Sequence, residues 1–173
     1  MKKISYGLRF YLVLSFLLDP IYFIYQLISV LRGKENLKRL LERWVTKQIK
    51  RPSGKLIWLH AASVGESLSL LPLIEKIIAD NPKINILITS TTKTSAEILE
   101  QISRPQIIHR MAPYDTFFVS KRFLKYWEPD LALRVESEIW PRILLELKKN
   151  KIPNFLLNAR SVSYTHLTLP TKA

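Results

Sequence analysis

Cysteine is absent from the 173 residues, so disulfides and thiolate metal sites are excluded and nothing signals an oxidising compartment. Histidine is scarce: His60, His109 and His166 stand far apart and without ligand spacing. No metal site is expected from them, and no cofactor. Acidic residues are also few, 14 against 27 lysines and arginines, which leaves a formal net charge of +13. An excess of that size favours an anionic partner, whether nucleic acid, an acidic membrane surface or a phosphorylated substrate; composition does not choose among them. Against these shortages stands a hydrophobic content of 47% with 24% charged residues. That is enough apolar material for one core, which excludes a disordered chain and points to one globular domain with an appendage.

The appendage is at the start. From Leu8 to Leu31 the chain reads LRFYLVLSFLLDPIYFIYQLISVL, about the length of a bilayer-spanning helix, so residues 1–31 are expected to form a hydrophobic membrane-anchor helix. Asp19 and Pro20 interrupt it. A charge near the middle costs roughly 2.5–3.5 kcal/mol on insertion scales, and proline removes a backbone donor, so a kinked span and a helix lying in the interface both remain open. A signal peptide fits less well, because the run after Lys2 and Lys3 is too long and no small-residue cleavage site comes after it. Directly behind it, residues 32–54 form a basic juxtamembrane segment: Arg32, Lys34, Lys38, Arg39, Arg43, Lys47, Lys50 and Arg51 are opposed only by Glu35 and Glu42. Such a cluster is attracted to anionic lipids at about 1 kcal/mol per basic residue and places the remainder of the chain on the cytoplasmic side. An ordinary solvated helix is the plainer alternative. No nucleic-acid partner is expected, since no binding motif accompanies the charge.

Beyond Gly54 the pattern becomes strand and helix in alternation. Lys55–His60, Ile84–Ser90, Asp130–Glu136 and Asn154–Asn158 read as strands, with Gln106–Arg110 a weaker fifth. Between them, Ser67–Asp80, Lys93–Ile102, Thr116–Trp127 and Ile139–Asn150 carry apolar residues at three- and four-residue spacing, as helices packed on a sheet do. The succession predicts an α/β fold with a parallel sheet covered on both faces, whose ligands gather at the carboxyl ends of the strands.

The first strand runs into His60-Ala61-Ala62-Ser63-Val64-Gly65-Glu66. One reading makes Ser63 a helix N-cap and Glu66 its partner in a capping box. The other makes Glu66 a general base at the mouth of the sheet, with Gly65 keeping the loop low enough for a substrate to approach. The two are compatible. The fourth strand ends in Glu136-Ser137-Glu138-Ile139-Trp140-Pro141. Ser137, Glu138 and Pro141 suit a helix start, which leaves Glu136, an acid at the end of a buried strand, as the stronger functional candidate before Glu138 and Trp140. Tyr114-Asp115 and Asn158-Ala159-Arg160 add polar groups at two further strand ends; a cap for the next helix and a solvated charge are their plainer readings. Lys93, in a polar turn, is placed to meet an anion.

In order, HAASVGE, the TSTTKTS loop, MAPYD, VESEIWP and LLNARS resemble the amino-terminal domain of the transferases that attach 3-deoxy-D-manno-octulosonic acid (Kdo) in lipopolysaccharide assembly. The resemblance implies a Rossmann-like acceptor domain over residues 55–161, one half of a GT-B glycosyltransferase whose other domain binds CMP-Kdo. It implies an inverting transfer of Kdo to a lipid A precursor (lipid IVA) on the cytoplasmic face of a bacterial inner membrane. It also implies Glu66 as catalytic base and Glu136 as support for the transition state, with Ser63, Gly65, Lys93, Tyr114, Asp115, Glu138, Trp140 and Arg160 as candidates for binding the acceptor. Lys93, Arg134, Arg160 or the leader's basic residues are expected to hold lipid phosphates. Another lipid-directed glycosyltransferase, or a membrane-tethered binding domain without catalysis, are the alternatives. Residues 162–173, VSYTHLTLPTKA, depart from the family pattern and resemble translated sequencing-adapter DNA, so a non-native tail, a domain cut short and a chain inactive alone are expected.

Overall fold

The computed structural model describes residues 6–33, 36–46, 49–102, 104–135 and 140–157. Five strands, β1 (Leu56–Ala61), β2 (Asn85–Ser90), β3 (Ile107–Met111), β4 (Leu131–Val135) and β5 (Asn154–Leu157), form one sheet in the order β3-β2-β1-β4-β5. Every pair is parallel, with Trp58 opposite Leu87 on one side and Ala132 on the other. All of β1 is buried, as expected of a central strand covered on both faces. Its side chains alternate: Leu56 and Trp58 join one core and Ile57, Leu59 and Ala61 the other.

The connecting helices supply the covers. Leu70 and Ile74, at the start of α4 (Leu71–Asp80), and Leu99 of α5 (Lys93–Glu100) close one face. Phe123 and Trp127 of α6 (Phe117–Trp127), and Ile143 and Leu147 of α7 (Pro141–Lys149), close the other. The helix expected over Ser67–Asp80 is two: α3 (Val64–Ser69) stops before α4 begins. Pro72, in the first turn of α4, lacks the amide that would continue the ladder from α3, so the helix restarts there.

Ahead of the sheet lie α1 (Tyr6–Leu31) and α2 (Leu37–Arg43). Leu40, Trp44 and Val45 are buried in the α6–α7 core, so this part of the basic segment is built into the domain. Several of its cations face inward: Arg51 Nε donates to the Trp127 carbonyl at 2.7 Å, and Arg122 on α6 reciprocates by donating to the Trp44 carbonyl at 3.1 Å.

The hydrophobic membrane-anchor helix expected over residues 1–31 is not supported. Among the described residues, no single helix is long and apolar enough to cross a membrane. The segments Tyr6–Leu17 and Asp19–Leu31 meet that test only as a pair, bent by 50°. Pro20 is the physical cause of the bend, since its ring displaces the carbonyl one turn earlier and offers no amide.

Candidate active site

The carboxyl edge of the sheet is where β1 turns into α3. Ser63 is the N-cap: its Oγ accepts from the Glu66 amide at 3.3 Å and donates to Glu66 Oε1 at 3.0 Å. The second carboxylate oxygen, Oε2, accepts from the Ala62 amide at 2.9 Å. The return bond therefore reaches one residue beyond the N-cap, where a capping box has it on the cap's own amide. Glu66 is half-buried, with both oxygens fixed by short local bonds at the mouth of the first strand. A Cβ at Gly65 would meet nothing within 4 Å, so the domain's own packing does not demand glycine there.

Because β1 lies between β2 and β4, the chain leaves it on one side and enters β5 from β4 on the other, which makes the β1–β4 boundary the switch point of the sheet. His60 and Trp140 meet across it, their ring centroids 4.3 Å apart and tilted by 50°. His60 is buried, its Nδ1 3.0 Å from Thr89 Oγ1, which also accepts from Trp58 Nε1 at 2.9 Å. Trp140 thus packs against the end of the strand that leads to Glu66. Glu136, Glu138 and Arg160 lie outside the described residues. Arg134, read as a phosphate ligand, is buried within β4, where desolvation lowers its pKa.

At the end of β3 the sequence candidates are engaged by the protein. Asp115 accepts from the Ile143 amide at 2.8 Å (Oδ1), and from the Arg142 amide at 3.1 Å and Tyr11 Oη at 3.0 Å (both Oδ2). The cap anticipated for α6 serves α7 instead. Burial pushes the Asp115 carboxyl above its usual range, opposed by these same donors. Tyr114 packs edge-on against Tyr22 at 5.0 Å, with the Arg43 guanidinium 5.5 Å from its ring centroid.

Lys93 opens α5 and is exposed, 3.8 Å from Glu97. It borders a cavity of about 660 Å³ that Arg39, Arg43, Thr91 and Met111 also line. Both arginines belong to the basic segment expected to meet anionic lipid, lipid phosphate or solvent. Arg39 forms a two-pronged pair with Glu100 at 2.7 and 2.8 Å, while Arg43 donates to the Thr91 carbonyl and, at 3.4 Å, to that of Ala112. Glu42, also buried, accepts from the Met111 amide at 3.2 Å and lies 3.7 Å from Arg110. Burial pushes the neighbouring His109 down to about 4, although Glu100 lies 3.6 Å from its Nδ1. The i,i+3 pair Arg39 and Glu42 was the one local signal of this network.

Comparison with known proteins matches residues 38–166 to the family described as 3-Deoxy-D-manno-octulosonic-acid transferase (kdotransferase). A 3-deoxy-D-manno-octulosonic acid transferase of Rickettsia bellii is 41% identical over 88% of this chain and 36% of its own length. The enzymes of the same name from Rickettsia felis and Haemophilus influenzae are 34% and 29% identical, each over 87% of this chain and over 42% and 36% of their own lengths. The chain therefore spans well under half the length of the relatives it matches. On the match over residues 38–166 and these likenesses, it belongs to the 3-deoxy-D-manno-octulosonic-acid transferase family, corresponding to its amino-terminal part.

Proposed function

We propose that this chain is the acceptor-binding half of an inverting GT-B glycosyltransferase that moves Kdo from CMP-Kdo to a lipid A precursor, lipid IVA, in lipopolysaccharide synthesis. The observation that carries this reading is the position of Glu66, at the carboxyl end of β1 beside the switch point, in a chain of this family. A carboxylate is too weak to ionise a sugar hydroxyl in advance. It accepts the proton as the oxygen attacks the anomeric carbon from the face opposite the departing CMP, so the configuration inverts. Ser63 is suited to assist: turning its hydroxyl away from Oε1 frees a lone pair for the acceptor while its oxygen still caps α3. In this reading Glu136 supports the developing charge, and Gly65, Glu138, Trp140 and Arg160 line the acceptor's approach. Lys93 remains the cation best placed for a lipid phosphate, whereas Tyr114 and Asp115 act by holding the frame. No metal or cofactor is assigned.

The acceptor is a lipid, and α1 sits at the N-terminal ends of α6 and α7, which is the carboxyl edge of the sheet. We therefore place the chain on the cytoplasmic face of the bacterial inner membrane, held by α1 and anionic lipids, with its crevice toward the bilayer. Glu66→Gln in the complete enzyme tests the chemistry, because glutamine retains the cap and cannot serve as base. Transfer to lipid IVA falls about 10²- to 10⁴-fold if Glu66 is the base. A rate near that of the unaltered enzyme overturns the assignment.

A further inference from the structure

The helix α1 is turned inside out relative to a helix of a water-soluble domain. Its polar side chains Tyr11, Ser15, Asp19 and Gln26 succeed one another at spacings that share one helical face, and that face is the one docked on the protein. Phe10, Val13, Leu17, Ile21, Ile24 and Leu31 are exposed on the opposite side. Ile21 is 63% accessible and Asp19, two residues away, only 3%.

Docking runs along the length of the helix. Tyr11 donates to Asp115, and Arg142 Nε donates to Ser15 Oγ at 3.0 Å while another of its nitrogens donates to the Leu12 carbonyl. Phe16 packs on Phe117 and Phe118 at 5.5 and 5.6 Å. Asp19 faces the first turn of α6, where burial raises its pKa against the opposing effect of the Phe118 and Phe117 amides. Phe23 meets Trp44 edge-on at 4.7 Å, and Val30 packs on the same core. From Tyr11 to Gln26 the helix path is about 22 Å, most of the roughly 30 Å hydrocarbon thickness. A helix held to α6, α7 and Trp44 over that distance cannot stand upright in a bilayer without drawing the ends of those elements, with their charged side chains, into hydrocarbon. The costly mid-run carboxylate noted in the sequence is also removed from lipid, since it points into the domain.

We infer that α1 is an in-plane interfacial helix: it crosses no bilayer, its apolar face lies in the headgroup and upper acyl region of an anionic phospholipid membrane, and its polar face stays latched to the domain. The occupant is lipid rather than protein because the apolar face is flanked by exposed cations, Arg9 before it and Arg32 after it, on a chain of net charge +13. The inference rests on the membrane attachment proposed above and is independent of the transfer chemistry.

The absence of cysteine from these 173 residues makes the test direct. Phe10→Cys, Leu17→Cys, Ile24→Cys and Leu31→Cys, each alone in the full chain, are spin-labelled and bound to vesicles of phosphatidylglycerol and phosphatidylcholine, and label depth is measured. An in-plane helix gives four similar, shallow depths of about 5–10 Å, and a reagent that cannot cross the bilayer reduces the labels at Phe10 and Leu31 from the same side. Depths that deepen to about 15 Å near Leu17 and Ile24, with the two ends on opposite sides, overturn it in favour of a span. Labels shielded without vesicles by a second copy of the chain overturn it in favour of a protein partner. Failure to bind vesicles removes the inference and the proposed attachment together, while leaving the Glu66→Gln experiment to decide the chemistry separately.

Discussion

Tyr11 and Asp115, 104 residues apart, share a hydrogen bond of 3.0 Å that joins the first helix to the loop leaving β3. The same carboxylate also holds the first turn of α7 through the Arg142 and Ile143 amides, so one side chain orders three elements at the carboxyl edge. Burial and the Asp115 carboxylate push the Tyr11 hydroxyl up to about 12, which keeps it a donor at any working pH.

Removing either partner should therefore weaken the edge, by unequal amounts. Tyr11→Phe loses one bond to a carboxylate, about 1.5 kcal/mol, whereas Asp115→Ala also leaves two helix amides without an acceptor and costs about 3 kcal/mol. Urea unfolding measures both. In Tyr11→Phe, trypsin should also cut at Arg9 and Arg32 faster than in the unaltered chain, because α1 is held less firmly. Equal stability for the three proteins would show that the bond contributes nothing.

Ser63→Ala is expected to cost about 1 kcal/mol, the usual value of a helix N-cap, since the Glu66 amide loses its acceptor. Ser63→Thr, which keeps the hydroxyl, should recover most of that. Thermal unfolding of the two variants distinguishes loss of the cap from a general disturbance of the β1–α3 turn, which would lower both alike.

His109 predicts a pH dependence whose sign is set by its direction of shift. Its folded value, about 4, lies below the ordinary 6.5, so the unfolded chain binds the proton more readily between those values. Stability is unaffected by it above about pH 6.5 and falls as the pH drops toward 4, by on the order of 3 kcal/mol in full. Asp19 and Asp115 act oppositely: their raised values favour folding at low pH and withdraw that contribution as pH rises from the ordinary carboxyl value through their folded ones. Comparing His109→Gln with the unaltered chain isolates the histidine, and the difference between the two stability profiles should carry the fall between pH 6.5 and 4. An unchanged slope would contradict the assignment.

Much of the fold was legible because a central parallel strand must be apolar almost throughout. LIWLH and NILITS have few other readings, and their strands begin within a residue of the expected ends. The Ser63–Glu66 cap was legible for a similar reason, being local. Asp115 was not, because the helix it caps starts 26 residues later in the chain, and no local pattern reports which helix start a loop carboxylate will meet. The α2 segment was obscured by its cations, which drew attention from Leu40 and Trp44. For α1 the information was present but averaged away: mean hydropathy records how apolar a run is, whereas Tyr11, Ser15, Asp19 and Gln26 matter through the single face they share.

The proposed transfer depends on a carboxylate meeting a lipid-borne hydroxyl at the end of β1. A crystal structure of the complete enzyme with lipid IVA bound tests this most directly. The reacting hydroxyl oxygen is predicted to lie about 2.6–3.2 Å from a Glu66 carboxylate oxygen, or to reach it through one water. An acceptor seated elsewhere on the sheet, with Glu66 still closed on Ser63 and Ala62, would contradict it.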